Sequence, residues 1–290
     1  MNKLKQYIKK IWWGINFQYY FKLNGTRMKG LKIYQAKTSN VDEKWMGQIL
    51  GVLLKLNNDA FLDVGVNIGQ TLCQVKSIDF KREYFGFEPN PACNMFVEEL
   101  IRINKFPNVK IFPVGIFPND SILELDLYYD DLTNAGGSII KDVWSYSNIK
   151  AHRTIIVPLM KYETITQRSP ISKLGIVKID VEGAELEALR ALYKKIEEDR
   201  PIILMEVLSA FSYSNTAIIN RQKQIVEILR ELNYDFYRII EFKAVGISEI
   251  HKIDFFDPQY DHCQANYIFI PVESTRVIEV LKRSFNFSEE

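Results

Sequence analysis

The sequence predicts an α/β protein in which helices cover both faces of an open, mostly parallel sheet. Three stretches carry that prediction. The first is Ala60-Phe-Leu-Asp-Val-Gly-Val-Asn-Ile-Gly-Gln70, where an apolar run broken only by Asp63 suits a buried parallel strand. Gly65 and Gly69 then bracket a turn into a helix through Thr71, Leu72 and Val75. Such a turn lets backbone approach a ligand closely and offers unpaired N–H donors. The second stretch is Tyr84-Phe-Gly-Phe-Glu88, a short strand ending in a carboxylate after a βα unit of the expected length. The third is Gly175-Ile-Val-Lys-Ile-Asp-Val-Glu-Gly-Ala-Glu185, another strand that ends in acid and enters a helix. Three polar strand tips point at one crevice, where an open α/β sheet holds a nucleotide-type cofactor. The turn lacks the three-glycine dinucleotide fingerprint, which disfavours a pyrophosphate site.

Taken in order, the chain opens without an Asp or Glu before Asp42, while Lys3, Lys5, Lys9, Lys10, Lys22, Arg27, Lys29 and Lys32 accumulate. On a helix, Tyr7/Ile8, Ile11/Trp12, Ile15 and Tyr19 recur at three-to-four-residue spacing and give an apolar face with basic flanks. The uncharged run from Ile11 to Phe21 is too short to span a bilayer, and no small-residue cleavage site follows it. Two readings stay open: a helix lying on an anionic membrane surface, or one packed on the core or a partner subunit. Asp42 to Leu56 reads as a capped helix with Trp45, Ile49, Val52, Leu53 and Leu56 as its stripe.

Past the glycine turn, Pro91 to Asn104 is helical, with Pro91 in the first turn. Val109 to Val114 is a strand, and Gly115 stands where an adenine would be flanked or where a strand simply turns. Ser121 to Pro158 breaks the alternation: Ile122 to Tyr128 has period two, and Ile155-Ile-Val157 is a second short strand. The polar residues between them include Asp130, Asp131, Asn134, Gly136, Gly137, Ser138, Lys141, His152 and Arg153. That loop reads as a substrate wall or lid, or else as a surface excursion. Glu185 to Ile196 is a helix whose first-turn acids also suit the helix dipole. Pro201 to Glu206 is a strand ending in acid, Ile218 to Leu232 a helix, and Phe236–Ile240 and Asn266–Ile270 the last strands. The expected division is a helical N-terminal extension over 1–56, a main domain over 57–271 with a substrate-side insertion at 118–172, and a C-terminal tail or helix over 272–290.

Asp63-Val-Gly-Val-Asn-Ile-Gly69, Phe87-Glu-Pro-Asn-Pro91 and Lys178-Ile-Asp-Val-Glu-Gly-Ala-Glu185 resemble, in order, the three signature blocks of the FkbM family. Val66 stands where that family more often has Ala. The resemblance implies a Rossmann-like class I methyltransferase fold, with a seven-stranded sheet whose final strand runs antiparallel. It also implies S-adenosylmethionine as cofactor and hydroxyl oxygens as acceptors. Asp63, Gly65, Val66, Asn67, Gly69, Glu88, Pro89, Gly115 and Asp180 are then the candidate cofactor-binding residues, with Asp63 toward the ammonium and Glu88 on the ribose. Asp180, Glu182, Glu206 and His152 are the candidates for moving the acceptor's proton, because an alcohol's high pKa makes such help worth roughly 10²–10⁴-fold. A pair of these acids could hold a divalent ion, but a metal site is not predicted.

Composition bounds the rest. With 290 residues and a net charge of +1, the chain is long enough for one large domain and has no global field favouring nucleic acid. Three cysteines without paired spacing point to a reduced compartment. The expectation is therefore a cytoplasmic O-methyltransferase acting on a sugar hydroxyl of a surface or lipid-linked glycan, with the N-terminal residues 1–23 a candidate contact with the inner membrane face. Its rivals are a small natural product as acceptor, a non-catalytic membrane-associated adaptor, and an NAD-dependent oxidoreductase, which would need the missing pyrophosphate turn. The sequence leaves the oligomeric state open.

Overall fold

In chain order the first strands of the computed structural model are β1 (Phe17–Leu23), β2 (Thr26–Ile33) and β3 (Ala36–Lys37). Helix α1 (Lys44–Leu56), β4 (Ala60–Val64), α2 (Gln70–Ile78), β5 (Tyr84–Phe87), α3 (Pro91–Asn104) and β6 (Val109–Phe112) follow. Next come β7 (Gly115–Ile116), β8 (Ser121–Leu127), β9 (Arg153–Met160) and α4 (Tyr162–Thr166). The chain closes with β10 (Leu174–Ile179), α5 (Glu185–Asp199), β11 (Ile202–Glu206), α6 (Thr216–Glu231), β12 (Tyr234–Phe242), β13 (Gly246–Ile253), β14 (Asn266–Pro271), α7 (Thr275–Ser284) and β15 (Phe287–Glu289). The structure describes residues 17–33, 36–38, 43–128, 133, 136–141, 150–210, 212–242, 245–257 and 265–289.

The main sheet runs β15-β13-β12-β14-β11-β10-β4-β5-β6. From β6 to β11 the strands are parallel, and β14 enters antiparallel between β11 and β12. The seven expected strands are therefore present, but β13 and β15 extend the sheet to nine. β13 pairs antiparallel with β12 through a register shift at Ile240/Glu241, which blurs the alternation a sequence reading relies on. β4 and β10 are buried at every position, because helices cover both faces.

Alternate residues of each central strand feed two separate cores. Phe61, Tyr84, Ile176 and Ile268 join α1, α2 and α3 on one face. Leu62, Phe85, Val177 and Phe269 join α4, α5 and α6 on the other. In α1 the buried positions Trp45, Met46, Ile49, Leu50, Leu53 and Leu54 follow the helical repeat, while Val52 and Leu56 of the expected stripe are half-buried at its margin. At the head of α3, the Asn90 side chain accepts from Ala92 N–H at 3.0 Å and Pro91 occupies the first turn, as its fixed φ favours.

One expectation fails at the N terminus. The helix predicted to run through Tyr19 is, over its described part, strand β1, paired antiparallel with β2. Tyr19, Phe21 and Leu23 are half-buried while Gln18, Tyr20 and Lys22 are exposed, a period of two and not of 3.6. The turn between the strands is Asn24-Gly25, both at positive φ (47° and 81°), the pair that a two-residue hairpin demands. Asn24 Nδ2–H donates to Gln74 and Ser77 of α2, and Asn104 of α3 exchanges hydrogen bonds with Lys29, so the hairpin lies across both helices. Tyr7 to Ile15, Asp42, and the Asp261-His262-Cys263 triplet lie outside the described residues.

β7, β9 and β8 form a separate three-stranded sheet from the inserted segment, with β9 parallel to β7 and antiparallel to β8. No helix among the described residues is long and apolar enough to cross a membrane. Gly25→Ala should lower the stability measured by urea unfolding by about 1–2 kcal/mol, the cost of a left-handed non-glycine residue, since open space surrounds the added carbon.

Candidate active site

The carboxyl tips of β4, β5, β10 and β11 open onto one cleft of about 1120 Å³, the solvent at its mouth included. Glu88, Asp180, Glu182 and Glu206 line it from the strand tips, Glu43 enters from the start of α1, and Lys178 rises from within β10. The inserted sheet supplies an aliphatic wall of Ile116, Leu125 and Leu159, with Ile139 beside them. Ser138 Oγ–H donates to the Glu182 carbonyl at 2.6 Å and ties the inserted segment to the β10–α5 loop. The expectation of a wall over the crevice is met at Gly137 and Ile139; Asp130, Asp131 and Asn134 lie outside the described residues.

Of the residues expected to bind cofactor, Gly65, Val66, Asn67, Glu88, Pro89, Gly115 and Asp180 line the cleft. Asp63 does not. It is fully buried, accepts from the Tyr84 hydroxyl, and sits 3.6 Å from Lys178 Nζ. One residue before the tip of β4, its carboxyl is set against Lys178 outside the described lining. Gly69 is also absent from the lining. It caps α2 at φ 84°, where a side chain would press on Leu100. His152 is exposed beside the start of β9 and lies away from the cleft.

The glycines serve packing as much as ligand approach. At Gly65 (φ 92°) an added Cβ would overlap the Asp180 carbonyl oxygen, so this glycine lets the tips of β4 and β10 close together. At Gly115 it would overlap Leu159.

The electrostatics are those of acids gathered around one base. Lys178 Nζ lies 2.9 Å from Asp180 Oδ2. Burial alone would push Lys178 down, but Asp180, Asp63 and Glu43 outweigh it and hold the ammonium above its ordinary value. Burial pushes Asp63 up, and Lys178 and the Tyr84 hydroxyl oppose that push. Glu88 is pushed up to about 7 by burial, although Asn67 N–H and Asn90 N–H donate to its two oxygens at 2.7 and 2.8 Å. Burial, then the charges of Asp180 and Glu185, take Glu182 up to about 8. Glu206 is raised well above the usual carboxylate range by burial, Asp180 and Glu182. Glu43 is raised too, chiefly by burial. Among the described residues, no group of three or more His, Cys, Asp or Glu side chains has the arrangement to hold a metal ion.

Two members of this cluster escaped the sequence reading. Lys178 had a signal, a lone cation inside a strand otherwise buried throughout, which needs a counter-charge. Glu43 had only its place before an apolar helix, which reads equally as a cap.

A family model described as the methyltransferase FkbM domain matches residues 63–236. Methyltransferase 1 of Beauveria bassiana (strain ARSEF 2860) is 24% identical over 147 residues, 47% of this chain and 59% of that relative, so the chain spans less than two thirds of its length. Among solved structures, methyltransferase FkbM from Methylobacillus flagellatus KT is 16% identical with a TM-score of 0.44, covering 73% of this chain and 43% of that one. The fibrillarin of Aeropyrum pernix, solved with S-adenosyl-L-methionine natively bound, is 12% identical with a TM-score of 0.42 over 87% and 81% of the two chains.

Lys178→Met should cost about 3–5 kcal/mol of unfolding free energy, because it strips a buried acid of its counter-charge. Asp63 then favours its neutral form in the fold, with a folded-state value above the unfolded one. The deficit should accordingly shrink as pH falls and widen as it rises, which denaturant unfolding at several pH values will read.

Proposed function

The chain belongs to the FkbM family of S-adenosylmethionine-dependent methyltransferases, and on that premise we propose that it transfers the methyl group to a hydroxyl of a sugar in a surface glycan or its lipid-linked precursor. The observation that carries the oxygen acceptor is the set of strand-tip carboxyl groups Asp180, Glu182 and Glu206 around one cleft. An alcohol must lose its proton as it is alkylated, and a carboxyl raised toward neutrality by its surroundings is suited to take it.

The residues present fit the cofactor. The cleft is of the size that holds drug-sized ligands, roughly 300–1,000 Å³ plus the open mouth. Pro89, Ile116 and Leu159 around Gly115 offer an apolar slot for a purine. Each oxygen of Glu88 already takes one backbone N–H and keeps a lone pair for a ribose hydroxyl. The surplus of acids over Lys178 suits the net positive charge of the methionine end, where a sulfonium and an ammonium outweigh one carboxylate. When bound, S-adenosylmethionine supplies an electrophilic methyl carbon on a positively charged sulfur. The protein's part is to hold acceptor oxygen and methyl in line, to exclude water with the inserted wall, and to accept the proton. Alignment alone can supply on the order of 7–11 kcal/mol.

The sugar rests on the hydroxyl acceptors that the family resemblance implies and on the basic, aromatic N terminus. The chain's many tyrosines and tryptophans could stack on sugar rings, but none is in the described lining, where Phe87 is the aromatic. A small natural product with an apolar body is the second reading, favoured by the aliphatic side chains of Leu125 and Ile139. The cytoplasmic location and a membrane contact through the basic, aromatic N terminus belong to the same proposal.

Incubation with methyl-labelled cofactor and the host's polysaccharide and small-metabolite fractions tests it. Alkali-stable label on carbohydrate is the expected result. Label on an amine or a base-labile ester overturns the oxygen-ether reading, and label confined to small metabolites selects the second one. Glu88→Ala should weaken cofactor binding about 10–100-fold by calorimetry, the worth of hydrogen bonds to a charged acceptor. Unchanged affinity would remove Glu88 from the site.

A further inference from the structure

Ile179 of β10 lies opposite Met205 of the parallel strand β11, so the next step outward sets Asp180 beside Glu206 at the cleft. Glu182 reaches the same cleft from a left-handed backbone position, φ 51°, which disfavours any side chain by about 1–2 kcal/mol. Two hydrogen bonds hold the loop in that shape: Ser138 Oγ–H to the Glu182 carbonyl, and Arg221 Nη2–H to the Gly183 carbonyl at 2.9 Å. Lys178 answers Asp180 at 2.9 Å, whereas Glu182 and Glu206 have no ion pair among the described residues.

The charges that face these two acids are few and mostly alike. Glu206 faces Asp180, Glu182, Lys178 and, from the start of α1, Glu43. Glu182 faces Asp180, Glu185 and Lys178. Glu185 is occupied, accepting from Gly183 N–H at 2.7 Å. Lys178 is paired with Asp180 at 2.9 Å, so negative charge on both Glu182 and Glu206 would go without a cation of its own, and such neighbouring carboxyls titrate as a unit.

We infer that Glu182 and Glu206 hold one proton between them in the cofactor-free protein and lose it when the cationic methyl donor enters, so that donor binding creates the base that serves the acceptor hydroxyl. This rests on the methyltransferase reading above and sharpens it by narrowing the base from three carboxyl groups to this pair. A positive charge within about 4–6 Å lowers a carboxyl's pKa by roughly 1–3. Starting from about 8, Glu182 then ionises at neutral pH.

The balance closes. The proton displaced on donor binding goes to solvent. In the transfer, the freed carboxylate takes the acceptor's O–H proton, the oxygen's electron pair forms the new C–O bond, and the pair of the broken C–S bond stays on sulfur. The product thioether has lost the sulfonium charge, so the two acids keep that proton and return to the state of the free protein. One proton per turnover reaches solvent, and it does so before the chemical step.

Titration calorimetry of the full chain at neutral pH, in buffers of low and high ionisation enthalpy, measures the proton count directly and needs no acceptor. S-adenosylmethionine should bind with release of up to about one proton, and S-adenosylhomocysteine, which lacks the sulfonium charge, with a clearly smaller release. The double variant Glu182→Gln with Glu206→Gln, which leaves neither carboxyl to hold the proton, should abolish the difference while the donor still binds. Glu43→Gln and Glu88→Gln, which change the other raised carboxyls of the cleft, should keep the release, the second with weakened binding. Tight donor binding without proton release would overturn the shared proton and leave the methyltransferase reading standing. Persistence of the release in the double variant, with its loss in Glu88→Gln or Glu43→Gln, would overturn it in favour of that residue. Failure of the wild-type chain to bind the donor would overturn both.

Discussion

One buried ammonium makes the rest of this site tolerable. Lys178 stands 2.9 Å from Asp180 and 3.6 Å from a fully buried Asp63, with Glu43 also within its field. Removing a carboxylate from water costs several kcal/mol, and only a close cation or hydrogen bonds recover it. Asp63 has both, the lysine on one side and the Tyr84 hydroxyl on the other. Tyr84 is itself locked by its ring stacked on Phe61 of the adjacent strand, centroids 5.6 Å apart. The anchor therefore reaches from the cleft into the core on the α1–α3 side, and the position of one charge is fixed by packing.

The topology explains why so many acids meet there. Parallel strands end at one edge, and β4, β5, β10 and β11 each contribute the residues at or just past that end. Such proximity requires the tips to approach closely, and Gly65 is where they do, under the Asp180 carbonyl. The same closeness drives the carboxyl groups upward: desolvation is the leading cause at Glu88, Glu182 and Glu206, and neighbouring negative charges follow. Acid–base capacity near neutrality here follows from sheet geometry, with no histidine among the described residues of the lining.

What the sequence made legible was what depends on neighbours along the chain. The runs at β4, β10 and β11 are continuous and apolar because both faces are covered, and the helices of the main domain carry their stripes at the right period. The three motif blocks, each at a strand tip, located the cleft. What was not legible depends on contacts far apart in sequence. Asp63 looks like a ligand in its motif, and only its place opposite Lys178 and the hydrogen bond it accepts from the Tyr84 hydroxyl show it facing inward. His152 has suitable chemistry in a polar loop, but the pairing of β8 with β9 carries it away from the cleft. The N-terminal hairpin was legible and misread. Asn24-Gly25 is a strong two-residue turn signal, but the aromatic residues before it fall at a spacing that also satisfies a helix over a short window.

The two ends of the cleft differ in a way that gives a bound nucleoside one direction. Beside β5 and β7 the lining is Pro89, Gly115, Ile116 and Leu159, without a charge except Glu88 at its inner margin. Beside β10 and β11 it is Lys178, Asp180, Glu182 and Glu206, with Glu43 opposite. A molecule with a neutral planar base at one end and a net positive charge at the other is stabilised in one orientation and opposed in the reverse one, where its charge would lie against aliphatic carbon. That orientation sets the positive end toward Glu182 and Glu206.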